Sequence, residues 1–232
     1  MDLAGTVVVI SPHFDDAVFS CGEWLAARPG STVLTVYSGV PSSSTPLPDW
    51  DRRCGFNRAD QAVLARHEEN RAAMAVLGAR GLGLGLLDDQ YGHPPADAGR
   101  ITGALAAALT TLRPEVVLAP LGLFHQDHLR ASDAALMVWR LFRDVMNSTW
   151  LAYEEALYRG KPGLVQQRLA ELRAQDIRVT PLAGPQYRGD RKTRAVAAYA
   201  SQLEALGLVP GQGDDAAPER YWRLEFEEGA TH

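Results

Sequence analysis

Only two of the 232 residues are cysteine, Cys21 and Cys54. That excludes a disulfide framework and a four-cysteine zinc site. Long apolar runs are also missing. A membrane helix needs about 18–20 consecutive apolar residues, and the longest apolar blocks, such as 101–112, are interrupted by Thr and Gly. Such a block reads as a helix packed on one face. Basic residues are not in excess either: 23 Lys and Arg against 28 Asp and Glu leave a net charge of −5. A broad nucleic-acid surface needs concentrated positive charge, so this partner class is excluded along with the membrane. The start, Met1 to Gly5, lacks the basic region of a signal peptide. No repeat or composition break divides the chain. The expectation is one cytoplasmic domain spanning 1–232, whose 46% hydrophobic residues supply the core.

What is present alternates between strand and helix. Thr6–Ser11, Thr32–Tyr37 and Glu115–Ala119 are β-branched, apolar and uncharged but for Glu115, as central parallel strands are when both sheet faces are covered. Helical patterns over 15–27, 60–77, 100–112 and 129–146 lie between and after them. Further strands are expected at 82–87, 149–153, 177–181 and 221–226, with helices over 164–174 and 191–206. This order predicts an α/β fold, a single-domain Rossmann-like three-layer sandwich with a mostly parallel sheet. Two long loops, 38–56 and 88–97, fall on the side where open α/β sheets bind ligands. The glycines Gly81, Gly83 and Gly85 do not make a dinucleotide fingerprint, because they precede or occupy a strand instead of opening the first helix.

Polar residues gather where the apolar strands end. Ser11-Pro12-His13-Phe14-Asp15-Asp16 follows the first strand, and His125-Gln126-Asp127-His128 follows the strand at 115–119. Taken alone, each cluster is also what a helix cap looks like. Together, at carboxyl strand ends that the fold can bring close, they suggest a metal site. His13 and Asp16 can offer two ligands from one turn, His128 a third, and a fourth position stays open for water. Asp15 is then free to act as a base.

Pro12-His13-Phe14-Asp15-Asp16 resembles the Pro-His-Pro-Asp-Asp signature of the LmbE-like (PIG-L) zinc-dependent N-deacetylases, and His125-Gln126-Asp127-His128 matches that family's His-x-Asp-His motif. Weaker likenesses lie at Arg66-x-x-Glu69, Leu77-Gly78, Leu87-Asp88, Lys192 and Tyr199 to Gln202, so the resemblance runs from about Val7 to Gln202. Phe14 departs from the family's proline. The resemblance implies that His13, Asp16 and His128 hold Zn²⁺, or another divalent ion, and that Asp15 is the general base. His125 would stabilise the oxyanion, as imidazolium if it donates, and Asp127 would orient His125 or raise its pKa. The implied activity is removal of an N-acetyl or other N-acyl group from an amino sugar or glycoconjugate. An amidase or esterase acting on another conjugate through the same site, and a non-catalytic carbohydrate binder, are the alternatives.

Arg66 reads either as a substrate contact, as a brace for a loop, or as a helical salt-bridge partner of Glu69. Asp88 suits sugar hydroxyls or a turn. Trp50, Tyr91 and His93 offer an aromatic platform or anchor their loops. His67 lies on an apparently exposed helix face and is not expected to be a ligand. Cys21 is expected in the core, and nothing near Cys54 marks it as reactive. An oligomer is compatible with the sequence.

Overall fold

Every residue of the segment Val7–Ser11 is buried, as a strand covered on both faces must be, and it forms β1, an interior strand of the sheet. The computed structural model describes residues 5–92, 95–185, 187–212 and 217–227. His93, one of the three loop residues singled out above, lies outside them. The other strands are β2 (Thr32–Thr35), β3 (Arg80–Gly83), β4 (Val116–Pro120), β5 (Thr149–Tyr153), β6 (Ile177–Leu182) and β7 (Tyr221–Phe226). They form one seven-stranded sheet in the order β3-β2-β1-β4-β5-β7-β6. The pairs from β3 to β5 are parallel, and β7 runs antiparallel to both of its neighbours.

Side-chain alternation along the strands divides the interior in two. Val7, Val9, Val116 and Leu118 face a cluster built with α1 (Asp16–Ala27), α3 (Ala59–Leu77), α7 (Arg191–Val196) and α8 (Ala200–Leu206). Val8, Ile10, Val117 and Ala119 face α4 (Ala98–Leu112), α5 (Gln126–Phe142) and α6 (Leu164–Arg173). The three-layer α/β sandwich with a mostly parallel sheet is therefore as expected. No helix among the described residues is long and apolar enough to cross a membrane.

Three local expectations change. The strand expected over 82–87 is β3, Arg80–Gly83. The chain turns away because Gly85 has a φ of +73°, a conformation that glycine adopts without strain. The helix expected over 191–206 is broken into α7 and α8, and Tyr199 at the break is fully buried. The loop 38–56 contains a short helix, α2 (Asp49–Arg53), with acidic residues in its first turn and arginines in its last.

The sheet order leaves β1 and β4 side by side although their following helices, α1 and α5, pack on opposite faces. This is the switch point at which an open α/β sheet forms a crevice beyond its carboxyl ends.

α4 tests the layer assignment. Its buried stripe is Ile101, Leu105 and Leu109, each with no exposure. Leu105→Ala removes packed methyl groups from the second cluster and is expected to destabilise the protein by about 2–5 kcal/mol. A urea unfolding curve checks this through a lowered midpoint with little change in slope.

Candidate functional site

β1 ends in the turn that carries the first polar cluster. Ser11 Oγ receives the Ala17 N–H at 3.0 Å and donates to the His13 carbonyl at 2.5 Å, so the serine ties the turn to the start of α1. Asp15 occupies the N-cap position but makes no capping hydrogen bond with its side chain. Its carboxylate is left facing the cavity. Asp16 accepts the His13 backbone N–H at 2.8 Å through Oδ2.

The same Asp16 oxygen lies 3.3 Å from His13 Nδ1 and 3.3 Å from His128 Nε2. His128 arrives from the first turn of α5, which follows β4, and is completely buried. Its Nε2 makes no hydrogen bond. A buried nitrogen without a partner is costly unless something else occupies its lone pair. Ligand bonds of about 2.0–2.1 Å in a tetrahedral site put neighbouring donors about 3.3 Å apart. The spacing, the donor types and the orphaned nitrogen therefore fit a divalent cation held by His13, Asp16 and His128. The donor atoms of these three residues all lie within 4.8 Å of one another.

The field around this cluster has a clear sense. Burial works against charge on His13, but the carboxylates of Asp127, Asp16 and Asp88 override it and hold the imidazole well above its ordinary pKa. Burial likewise opposes the charge on His128, and Asp16 with Glu155 raises it to about 9. Asp16 is held well below the carboxylate range because His128 and His13 outweigh its burial. Asp15, desolvated and beside Asp16, is pushed up to about 6. The site thus attracts positive charge, whether protons or a metal ion.

His125 and Asp127 are arranged differently from the expectation. Asp127 does not use its carboxylate on His125. That carboxylate lies 3.2 Å from His13 Nε2 and 3.3 Å from Arg130 Nη1, and it accepts the Asp89 N–H at 3.4 Å. It is the backbone N–H of Asp127 that orients His125, donating to Nδ1 at 3.3 Å in an N-cap. With Nδ1 accepting, the ring proton sits on Nε2, so neutral His125 can donate. Burial and the charges of His13 and His128 lower its pKa, against the increase expected from Asp127. The helix-cap reading and the cavity reading of this motif both hold.

His13, Asp15, Asp16, His125 and His128 line a cavity of about 540 Å³. Asp88, Trp50, Tyr91 and Arg66 line it too, so the structure brings these four candidates for substrate contact together. Asp88 Oδ2 comes within 3.5 Å of His13 Nε2, and its other oxygen accepts the Gln90 N–H. Trp50 Nε1 donates to Gln202 at 3.1 Å. Arg66 is not paired with Glu69. Its guanidinium donates to Asp51 at 2.5 Å and to the Tyr91 hydroxyl at 2.8 Å, while Tyr91 donates to Asp51 at 2.6 Å. Glu69 instead accepts from Ser201. Asp51 is fully buried, so Arg66 braces α2 and the 88–91 turn against α3. Cys21 is a core residue, and Cys54 is buried beside Arg66 and Gln202.

Sequence reasoning missed Glu155. It follows β5, a carboxyl strand end like the other two, and the pair Glu154-Glu155 was a signal of the same kind. Its Oε1 accepts the Gly122 and Leu123 N–H groups at 2.8 and 2.9 Å and lies 3.4 Å from His128 Nδ1. It therefore fixes which nitrogen His128 turns toward the cavity. Tyr158 and Phe124 were missed as well. They form an aromatic wall, with ring centroids 5.4 Å apart, and Phe124 keeps its ring exposed with a φ of +61°.

Comparison with known proteins gives a consistent family. The model of the family described as PIG-L, GlcNAc-PI de-N-acetylase, matches residues 8–139. A 2'-N-acetylparomamine deacetylase of Streptomyces fradiae is 31% identical over 220 residues, covering 86% of this chain and 74% of its own length. A deacetylase from the teicoplanin biosynthesis pathway superposes with a TM-score of 0.77 at 22% identity, over 97% of this chain and all of its own. GalB, a 4-carboxy-2-hydroxymuconate hydratase of Pseudomonas putida, superposes at 0.62 with 17% identity, over 99% of each chain. At such identities these two structures speak for the fold alone.

The Arg66–Asp51–Tyr91 brace predicts a large stability effect away from the metal ligands. Asp51→Ala strands a buried guanidinium and is expected to cost about 3–5 kcal/mol. Thermal and urea unfolding check the loss, with Asp51→Asn expected to retain part of the hydrogen bonding and part of the stability.

Proposed function

Because this chain belongs to the PIG-L family, we propose that it is a metal-dependent amidohydrolase that removes an N-acetyl group from an amino sugar or glycoconjugate. The observation that carries the reading is the buried, unpartnered His128 Nε2, set 3.3 Å from Asp16 beside His13 in the cavity floor. The 31% identical relative, named as a 2'-N-acetylparomamine deacetylase, supports the substrate class.

His13, Asp16 and His128 would hold the ion, with zinc favoured by two imidazoles and a carboxylate and other divalent ions accommodated by the same set. Such an ion supplies Lewis acidity and makes water acidic enough to ionise near neutral pH. Asp15, uncommitted to capping and facing the cavity, accepts the proton of the attacking water. Burial and the neighbouring Asp16 raise its pKa to about 6, and a cation beside it would draw the carboxyl back toward the ionised form that a base requires. His125 presents Nε2–H to the oxygen of the acyl group as negative charge develops there. Asp127 fixes His125 through its amide and His13 through its carboxylate. The amide nitrogen leaves as an amine after taking up a proton in the cavity. The carbonyl carbon keeps the water oxygen, so acetate and a free amino sugar are the products. Trp50 and the Phe124–Tyr158 wall supply apolar surface for the sugar or its aglycone.

The test is metal analysis of the purified protein together with an amine-release screen over N-acetylated amino sugars and thiol-conjugated amides. Activity is expected on the sugars, lost with a chelator and restored by about one equivalent of Zn²⁺. Asp15→Asn is expected to keep the metal and lose about 10²–10⁴-fold in kcat, and His128→Ala to lose metal and activity together. Full activity in Asp15→Asn would remove the base assignment. Release only from thiol conjugates would move the substrate class, and tight saccharide binding without release would make the protein a binder.

A further inference from the structure

Phe14 lines both the catalytic cavity and a second cavity of about 470 Å³. The second lies between α3 and β3, walled by His67, Asn70 and Met74 and floored by Gly81 and Gly83. Phe14 is buried in the first core cluster, and the turn that presents His13, Asp15 and Asp16 borders this cavity through its ring. The ring that stands against Phe14 there is His67, edge-on at 4.7 Å between centroids. The backbone of Phe14 is held from elsewhere, since its carbonyl accepts the buried Tyr199 hydroxyl at 2.9 Å.

His67 makes a second connection. Its Nε2–H donates to the Ser38 carbonyl at 3.0 Å. Ser38 lies where two cavity-lining segments are stitched together: its hydroxyl accepts the Gly85 N–H at 2.9 Å, and the Gly39 N–H donates to the Leu86 carbonyl at 2.8 Å. Beyond these points the two segments carry Trp50 and Asp51, and Asp88 and Tyr91. One half-buried imidazole thus touches the turn that holds the reacting groups and the root of the segments that line the rest of the cavity. The sequence placed His67 on an exposed helix face and did not expect it to be a ligand.

We propose that His67 is a positioning residue for the reaction, acting through Phe14 on the turn of His13, Asp15 and Asp16, and through Ser38 on the segments that carry Asp88 and Trp50. The inference rests on the hydrolase reading above. His67 touches none of the reacting groups. Without its ring, Phe14 has a cavity to move into and the turn loses its backing. A displacement of the order of 1 Å at reacting groups lowers turnover by up to about 10²-fold.

The test is steady-state kinetics of the zinc enzyme, with the visible spectrum of the Co²⁺-loaded protein as a readout independent of turnover. His67→Ala is expected to lower kcat about 10- to 100-fold with KM within about threefold and one metal ion retained, and to shift the Co²⁺ bands. His67→Phe keeps a ring against Phe14 without the donor to Ser38, and His67→Gln keeps a donor without the ring. Each is expected to fall between wild type and His67→Ala. These two variants decide the matter if His67→Ala does not fold. A kcat within about twofold of wild type, or an unchanged Co²⁺ spectrum, overturns the proposal. Wild-type turnover in His67→Phe removes the Ser38 arm. If the wild-type protein releases no amine from any substrate, the hydrolase reading fails, and the Co²⁺ spectrum still judges the positioning of the turn.

Discussion

A single carboxylate oxygen organises the site. Asp16 Oδ2 accepts the backbone N–H of His13 and stands 3.3 Å from imidazole nitrogens of both His13 and His128. Two of these contacts come from within one turn. The third comes from a residue 112 positions away in sequence, delivered by the neighbouring strand. Asp16 is buried, so the arrangement exists only if positive charge compensates it. The raised affinity of His13 and His128 for protons and the orphaned His128 Nε2 are two expressions of that requirement.

The rest of the molecule holds this oxygen and its partners in place. Tyr153 on β5 donates to the Ile10 carbonyl, bracing the end of β1 from across β4. Glu155, just beyond β5, uses one oxygen to hold the 122–123 backbone and to face His128. On the other side, Arg66, Asp51 and Tyr91 form a buried triad that ties the cavity wall to α3. Arg130 bridges Asp89 and Asp127, so the turn after β3 is pinned to α5 as well. Each connection joins a different pair of elements, and together they tie the segments around the cavity to the sheet and to α3 and α5.

Much of this was legible in the chain. The uncharged core of β1, the runs that became β2 and β4, and the polar residues at the ends of β1 and β4 follow from local rules, because strand burial and strand ends leave direct marks on composition. The break at Tyr199 was not legible, since the residues around it are good helix formers and the hydroxyl's partners, Phe14 and Asn70, are distant. Helical spacing offered Glu69 as one partner for Arg66, yet a buried acid from α2 took it, with charge-assisted hydrogen bonds to Asp51 and the Tyr91 hydroxyl that only the folded chain brings within reach. His67 illustrates the same limit. Its neighbours on the helix are charged, and only the packing of Phe14 and the course of residue 38 make it an inward contact.

The sequence by itself determined the class of fold, the ends of strands at which chemistry collects and the donor types suited to a divalent cation. These depend on short-range periodicity and on residue identity. Which oxygen serves two imidazoles, which acid faces His128 from behind, and which acid neutralises Arg66 were decided by tertiary structure alone. They are matters of tenths of an ångström and of burial, and both arise only when elements far apart in the chain exclude water from between them.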